Sequence, residues 1–143
     1  MRKVWILIIP ILLAAVTPSL GTCGPLLNEV MADPASDWDG DGSYSFRNDE
    51  FVEIVNPGPG SLDLEEFLLT DELGHPVFGF TGNLDAGEVR VVYGSESTAW
   101  ESSHGETATG LRLGNDGDTV ILKQVVGALE PSVDTEGGKV TSG

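Results

Sequence analysis

Glycine and proline residues divide this chain into short apolar runs, and the shortness of these runs limits what the chain can fold into. The sequence contains 19 glycines and 8 prolines. Together with Asp and Asn they separate stretches rich in β-branched and aromatic residues, which is the pattern of strands joined by turns. No apolar repeat of helical period continues for the length of an ordinary helix. We therefore predict an all-β domain in which two sheets pack face to face as a sandwich.

The strands follow from the same signals. We predict strands at 26–31, 50–56, 67–70, 77–80, 88–93 and 118–126, and a short strand or a turn at 61–64. The run 50–56 has apolar residues on both faces, so we place it centrally in its sheet. The polar connection 95–109 has room for a short helical turn. The side chains expected to be buried are Val52, Ile54, Val91, Val120 and Leu122.

The N-terminal segment has the features of a secretory signal peptide. Arg2 and Lys3 precede an apolar run, Val4 to Val16, that is interrupted by Pro10. This run is shorter than the about 20 residues that a membrane-spanning helix needs. A short basic segment, an apolar core and then small residues define a signal peptide. We assign residues 1–23 to it and expect an extracytoplasmic protein.

Two kinds of processing fit the end of this segment. Ser19-Leu20-Gly21 offers small residues to an ordinary signal peptidase, whereas Leu20-Gly21-Thr22-Cys23 resembles the lipobox of bacterial lipoproteins. Cys23 is the only cysteine, so an intramolecular disulfide is excluded. A lipid on Cys23 would anchor the protein to the cell envelope, and simple secretion is the alternative.

The charge of the remaining chain restricts its partners. Once Arg2 and Lys3 leave with the signal, five basic residues stand against 23 acidic ones, a net charge of −18. Such a charge repels phosphate backbones and anionic membrane surfaces. It argues against a nucleic-acid partner and fits a cation-rich exterior, calcium sites or a salt-rich habitat.

The segment Asp37-Trp38-Asp39-Gly40-Asp41-Gly42 is the main candidate site. Its alternating carboxylates and final glycine match the first half of a calcium-binding loop, and hard oxygen ligands suit Ca²⁺. Position twelve would be Asn48 rather than a glutamate, so we expect a calcium loop outside an EF-hand. A solvated Asp/Gly turn is the alternative. The predicted metal ligands are Asp37, Asp39, Asp41, Ser43, Asp49 and Glu50, with Asp33 a further candidate.

Several motifs, in this order, resemble the lamin tail domain family. Leu27-Asn28-Glu29-Val30 resembles its first strand, and Glu50 to Asn56 resembles its Glu-Phe-Val-Glu-Ile-x-Asn strand. The segment 113–120 is similar to its Leu-x-Asn-x-Gly-Asp-x-Val hairpin. Leu62 to Phe67 lacks the family's Gly-Trp, and Ala86 replaces the proline of its Pro-Gly turn. Prokaryotic members of the family often resemble this chain in carrying an Asp-rich insert after the first strand.

This resemblance implies an immunoglobulin-like β-sandwich, which we place over 24–126. The polar, glycine-rich composition of the end of the chain predicts a loosely ordered tail over 127–143. The resemblance also implies a non-catalytic module for adhesion or for interaction with a protein or carbohydrate at the cell surface. His75 and His104 lie in polar, turn-rich stretches and belong to no spaced catalytic or metal motif. The alternative function is a metal-dependent hydrolase, or an accessory domain of one, that uses Asp37, Asp39 and Asp41.

One further surface is suggested by aromatic residues. Trp38, Tyr44 and Trp100 lie in polar stretches and are candidates for contact with carbohydrate or protein. Packing against the core, or anchoring of loops, is the alternative role for these side chains.

Overall fold

The computed structural model describes residues 24–115 and 117–125. Eight strands and one helix follow one another along this part of the chain. They are β1 (Leu26–Met31), β2 (Phe51–Val55), β3 (Leu62–Asp63), β4 (Phe67–Thr70), β5 (Pro76–Gly79), β6 (Asn83–Leu84), β7 (Val89–Tyr93), α1 (Gly94–Ser103) and β8 (Ile121–Gln124). The prediction of an all-β fold is confirmed, and the bounds of β1 and β4 are those expected.

The strands form three antiparallel sheets in the described region. The first has the order β1-β2-β7, the second the order β5-β4-β8, and β3 pairs with β6 in a two-stranded ribbon. The central position predicted for β2 is confirmed, since it pairs with β1 on one side and β7 on the other. The connection 32–50, which carries Asp37, Asp39 and Asp41 and is called the acidic loop below, joins β1 to β2 and therefore lies at one end of the first sheet.

The core is built from alternating side chains of both larger sheets. Val52, Ile54 and Val92 of the first sheet are fully buried, as is Leu69 of the second. Burial of Val52 and Ile54 was predicted. Val120 and Leu122 are only partly buried against this core, and Val91 is half-buried because Val92, its neighbour, takes the inward position.

The helix α1 is longer than the short turn that the sequence suggested. Glu96 accepts a hydrogen bond from the Tyr93 N–H at 3.0 Å, which satisfies one donor at the helix start. The helix has no apolar stripe; it packs instead through small and polar residues, and Ser97 donates to the Val77 carbonyl at 2.7 Å. Tertiary contacts therefore stabilise a helix that periodicity does not reveal.

The last strand is shorter than predicted, covering Ile121–Gln124 rather than 118–126. The strand β8 begins at Ile121 because Asp118 belongs to the preceding turn, where its carboxylate accepts a hydrogen bond from the Gly114 N–H at 3.1 Å. The signal peptide, Cys23 and the tail 127–143 lie outside the described residues. Within the described part of the chain, no helix combines the length and apolarity that a membrane crossing requires.

Candidate metal centre

Local hydrogen bonds fold the acidic loop into a tight turn. The Asp37 carboxylate accepts from the Gly40 N–H at 2.8 Å and from the Gly42 N–H at 2.9 Å. Asp39 in turn accepts from the Asp41 N–H at 3.0 Å. Gly40 and Gly42 have φ of 75° and 89°, a left-handed backbone that glycine adopts without steric cost. The Asp/Gly alternation therefore encodes this turn directly.

Asp49 closes the loop from its far end. This fully buried carboxylate accepts from the Trp38 N–H at 2.6 Å, the Asp39 N–H at 3.1 Å and the Ser45 N–H at 2.7 Å. The hydrogen bond from the Ser45 N–H lowers the pKa of Asp49, whereas desolvation raises it. The bonds from the Asp39 and Trp38 N–H groups also lower the pKa, which therefore lies below its ordinary value. Asp49 is thus held in its charged form.

Three carboxylates converge as a result. Oxygens of Asp37, Asp39 and Asp49 all lie within 4.8 Å of one another. Two oxygens that each bind one calcium ion at about 2.3–2.6 Å stand at most about 5 Å apart. The spacing of these three oxygens therefore fits joint coordination of one such ion, and it would leave further positions for water or a ligand.

The structure places the other three predicted ligands outside this group. Asp41 and Ser43 are exposed, and the Asp41 carboxylate accepts from the Ser43 N–H at 2.7 Å. Glu50 is buried, and its carboxylate accepts from the Leu113 N–H at 3.2 Å. Asp33 is also engaged elsewhere, since it accepts from the Asn115 side-chain amide at 3.4 Å.

Burial disfavours the ionised form of the Glu50 carboxyl. Desolvation raises the pKa of this carboxyl, and the Leu113 N–H and the charge of Arg47 oppose the rise without reversing it. Glu50 thus differs from its neighbour Asp49, whose pKa is lowered. The two adjacent acids serve different parts of the fold.

The predicted aromatic surface divides into two regions. Trp38 and Tyr44 are about half exposed beside the acidic loop, and Phe46 is 59% exposed there as well. Trp38 contacts the Phe51 ring edge-on, with centroids 6.0 Å apart. Trp100 instead packs beside Phe78 against the core. Packing is therefore its role, whereas the loop aromatics remain accessible to a ligand.

Both histidines are exposed. His75 pairs with Asp71 at 2.9 Å, and the ring of His104 stacks on that of Trp100 with centroids 4.1 Å apart. Desolvation raises the pKa of Asp71, but the hydrogen bonds from His75 outweigh it and lower the pKa overall. The His75–Asp71 pair lies at a polar cavity of about 430 Å³ that Arg112 also lines.

One buried acid has no signal in the sequence. Glu101, on α1, is 2% exposed and accepts from the Thr109 N–H at 2.5 Å and the Gly110 N–H at 2.8 Å. It fixes the connection that follows the helix. Only contacts formed on folding reveal this role, because a single Glu in a polar stretch is expected to be solvated.

Comparison with known proteins gives one match. The model of the family described as Lamin Tail Domain matches residues 22–137, which is most of the chain. No curated protein and no solved structure matches it.

Proposed function

The chain belongs to the lamin tail domain family, and from this premise we propose that it is a calcium-stabilised, non-catalytic interaction module outside the cytoplasm. Lamin tail domains are non-enzymatic domains with an immunoglobulin-like fold, which supports the absence of catalysis in this proposal. The module would contact a protein or carbohydrate at the cell envelope through loops at one end of the sandwich.

The convergence of Asp37, Asp39 and Asp49 carries the calcium part of the proposal. Oxygens of all three lie within 4.8 Å of one another. Two like charges about 4 Å apart repel by about 1 kcal/mol in bulk water and by more near a protein surface. A divalent cation among them turns this repulsion into attraction. An all-oxygen set favours Ca²⁺, and Mg²⁺ fits less well because it demands octahedral geometry and retains its water.

Thermal melting tests calcium binding. An ion at one hundred times its Kd stabilises the folded state by about 2.7 kcal/mol, which for a domain of this size raises Tm by about 10 °C. We expect Ca²⁺ to give such a shift, Mg²⁺ a smaller one and chelator none. Ionic strength must be fixed, because added salt alone stabilises a highly charged chain by screening.

Variants locate the ion. Asp39→Asn should reduce the calcium shift and, by removing one repelling charge, slightly raise Tm in chelator. Asp85→Asn removes the same charge from an exposed turn and should leave the calcium shift unchanged. If calcium and sodium chloride at the same ionic strength raise Tm equally, the loop is a solvated turn and not a calcium site.

Location outside the cytoplasm is supported by the signal-like residues 1–23, and a lipid on Cys23 would place the module on a membrane surface. We expect the protein in the membrane fraction of a bacterial host, partitioning into detergent. Cys23→Ser should then accumulate as unprocessed precursor, since lipoprotein processing needs this thiol. Normal cleavage and soluble export of the variant would favour simple secretion.

The exposed rings beside the acidic loop support a contact surface for the partner. Trp38 and Tyr44 present large, stiff apolar faces of the kind found at protein and sugar contacts. Binding to envelope proteins or glycans should weaken in Trp38→Ala and Tyr44→Ala. Leu73→Ala, at an exposed turn elsewhere, is the matched control, and equal effects of all three changes would place the partner on another surface.

Catalysis by the same loop is the outcome that would overturn this proposal. A catalytic ion needs an open position and substrate-binding groups beside it. The test is a panel of phosphomonoester, phosphodiester and glycoside substrates with Ca²⁺ or Mg²⁺. Metal-dependent turnover that Asp39→Ala abolishes would make the protein a hydrolase.

A further inference from the structure

Arg112 has a strained backbone. It lies between the buried Leu111 and Leu113, and its φ is 55°. Among the described residues it alone has a left-handed backbone without being glycine. Glycine adopts this conformation without steric cost, whereas the β-carbon of any other residue is crowded there. A strained conformation that persists points to a function for the residue that adopts it. The Arg112 side chain is therefore a candidate for binding a ligand.

The structure gives this side chain no acidic partner within the described residues. The ion pairs in that part of the chain are those of His75 with Asp71 and of Arg90 with Glu96. Arg112 is exposed, and it lines three neighbouring cavities. Its guanidinium is thus available to a ligand in any of them.

One of the three cavities also contains a buried hydroxyl group. Thr70, at the end of β4, is 1% exposed, and its hydroxyl oxygen has no hydrogen-bond partner among the described residues. Thr70 and Arg112 line a cavity of about 200 Å³, together with Asp71 and Asp118. Buried polar groups are nearly always hydrogen-bonded. A buried hydroxyl without a partner therefore indicates that this cavity takes a polar ligand.

Two carboxylates of the same cavity are held in place and can still accept hydrogen bonds. Asp71 bonds the backbone N–H and the ring of His75. Asp118 accepts from the Gly114 and Thr119 N–H groups. An ionised carboxylate accepts about four hydrogen bonds, so both retain free lone pairs. The cavity thus combines fixed acceptors with the two donors described above.

The charges around the cavity restrict the ligand. The carboxylates of Asp71, Glu72 and Asp118 line it against the single guanidinium of Arg112. An anionic ligand is repelled by these carboxylates and by the net charge of the chain. A cationic ligand is repelled by Arg112, which can only donate. A neutral hydroxyl group both donates and accepts, so a ligand rich in such groups can bond the acceptors and the donors together.

We propose that this cavity binds one neutral sugar residue of a glycan. Hydroxyl groups of the sugar accept from Arg112 and Thr70 and donate to the two carboxylates. The cavity of about 430 Å³ that shares Asp71 and Arg112 receives the next residue of the glycan. The third cavity, which Phe46 also lines, continues to the acidic loop. This inference rests on the interaction function proposed above, because it names the class of partner, but it does not rest on the calcium site.

NMR titration of the full chain with simple sugars tests the site. The probes are the methyl glycosides of glucose, galactose and mannose, with glucuronate and glucosamine as charged counterparts. At least one neutral glycoside should bind, with calcium or with chelator, and more tightly than either charged sugar. Binding of no glycoside would leave the Thr70 hydroxyl to a water molecule and overturn the proposal. Tighter binding of a charged sugar, or binding lost in chelator, would also overturn it.

Arg112→Gly separates ligand binding from folding. Sugar affinity should fall by about tenfold or more, which is the contribution of a hydrogen bond from a charged donor. Tm should not fall, because glycine relieves the strained backbone. Lys123→Ala removes the same charge from an exposed position of β8 and should leave both quantities unchanged. A fall in Tm with unchanged affinity would make Arg112 a structural residue and contradict the proposal.

Thr70→Val removes the buried hydroxyl and keeps the shape of the side chain. Affinity should fall by about fivefold, and Tm should stay the same or rise. Thr81→Val is the control at an exposed position. Equal affinities of the two variants would exclude Thr70 from the site and refute the proposal.

Binding to envelope fractions distinguishes this inference from the function on which it rests. Capture of envelope glycans should weaken in Arg112→Gly. Undiminished capture by this variant would overturn the sugar site and leave the interaction function standing. Capture of envelope proteins that Arg112→Gly abolishes, with no glycoside bound, would assign the cavity to a peptide and overturn the proposal.

Discussion

At the scale of single residues, two adjacent acids at the end of the acidic loop do opposite things. Asp49 gathers three backbone N–H groups and stays charged, whereas Glu50 turns to the Leu113 N–H and is penalised by burial. Both residues are buried, yet their carboxylates meet different backbone groups, those of the loop for Asp49 and that of Leu113 for Glu50. The pH dependence of stability should separate their contributions.

Replacing Asp49 by Asn should destabilise the protein at neutral pH. An amide offers one acceptor oxygen in place of two, so at least one of the three N–H groups loses its partner. Because the folded pKa is lowered, this stabilisation is present above the ordinary value of about 3.9 and is lost as pH falls through the folded pKa. Urea midpoints in chelator at neutral and acidic pH should differ less in Asp49→Asn than in the parent, with Asp85→Asn as control.

Glu50→Gln should have the opposite effect. Glutamine retains an acceptor for the Leu113 N–H and removes the buried charge. Because the folded pKa is raised, ionised Glu50 costs stability above the ordinary value of about 4.3, and the cost disappears at lower pH. Tm in chelator should therefore rise at pH 7 and be unchanged near pH 3, whereas Glu72→Gln at an exposed turn should have little effect. A fall in the calcium shift of Glu50→Gln would instead assign Glu50 to the ion.

At the scale of elements, the start of α1 supports the acidic loop. The Gly94 N–H donates to the Glu50 carbonyl at 2.8 Å, and the Ser95 N–H donates to the Asn48 carbonyl at 3.2 Å. A side chain at Gly94 would collide with the backbone carbonyl of Arg47. The helix, the loop and the beginning of β2 thus form one packed unit.

Gly94→Ala tests this unit. The added methyl group cannot be accommodated unless the backbone of Arg47 moves, and overpacking of this kind costs about 1–3 kcal/mol. Chemical denaturation should show that loss, whereas Ser95→Ala, one position along, should change stability by about 0.5 kcal/mol or less. If the two variants have the same free energy of unfolding, the start of the helix is not tightly packed against the loop.

At the scale of the whole molecule, one small hydrophobic core between the two larger sheets stabilises the described part of the fold. Ile54, on the central strand, is fully buried among residues of both larger sheets. Ile54→Ala should cost about 2–5 kcal/mol, a large part of the about 5–15 kcal/mol typical of a domain. Urea unfolding measures it, and the exposed Leu73→Ala is the control. A loss below 1 kcal/mol would show that this residue is not central to the core.

Much of the fold could be predicted because it is encoded locally. Strands β1 and β4 have the predicted bounds, since alternation and flanking turns are properties of neighbouring residues. The turn around Asp37 and Asp39 follows in the same way, from side chains that bond backbone groups two to five residues away. The central place of β2 could be predicted because both of its faces are apolar.

The sequence by itself therefore determined most of the strands and the turn of the acidic loop, whereas the short strand β6 and the start of β8 were not predicted. Tertiary structure alone decided that Asp49 joins Asp37 and Asp39 while Glu50 bonds Leu113, 63 residues further on. It also decided that α1 is a helix, because small and polar residues such as Gly94 and Ser97 stabilise it only when they pack against other elements. Periodicity reports which face of an element is apolar, but not which distant group a buried polar residue meets on folding.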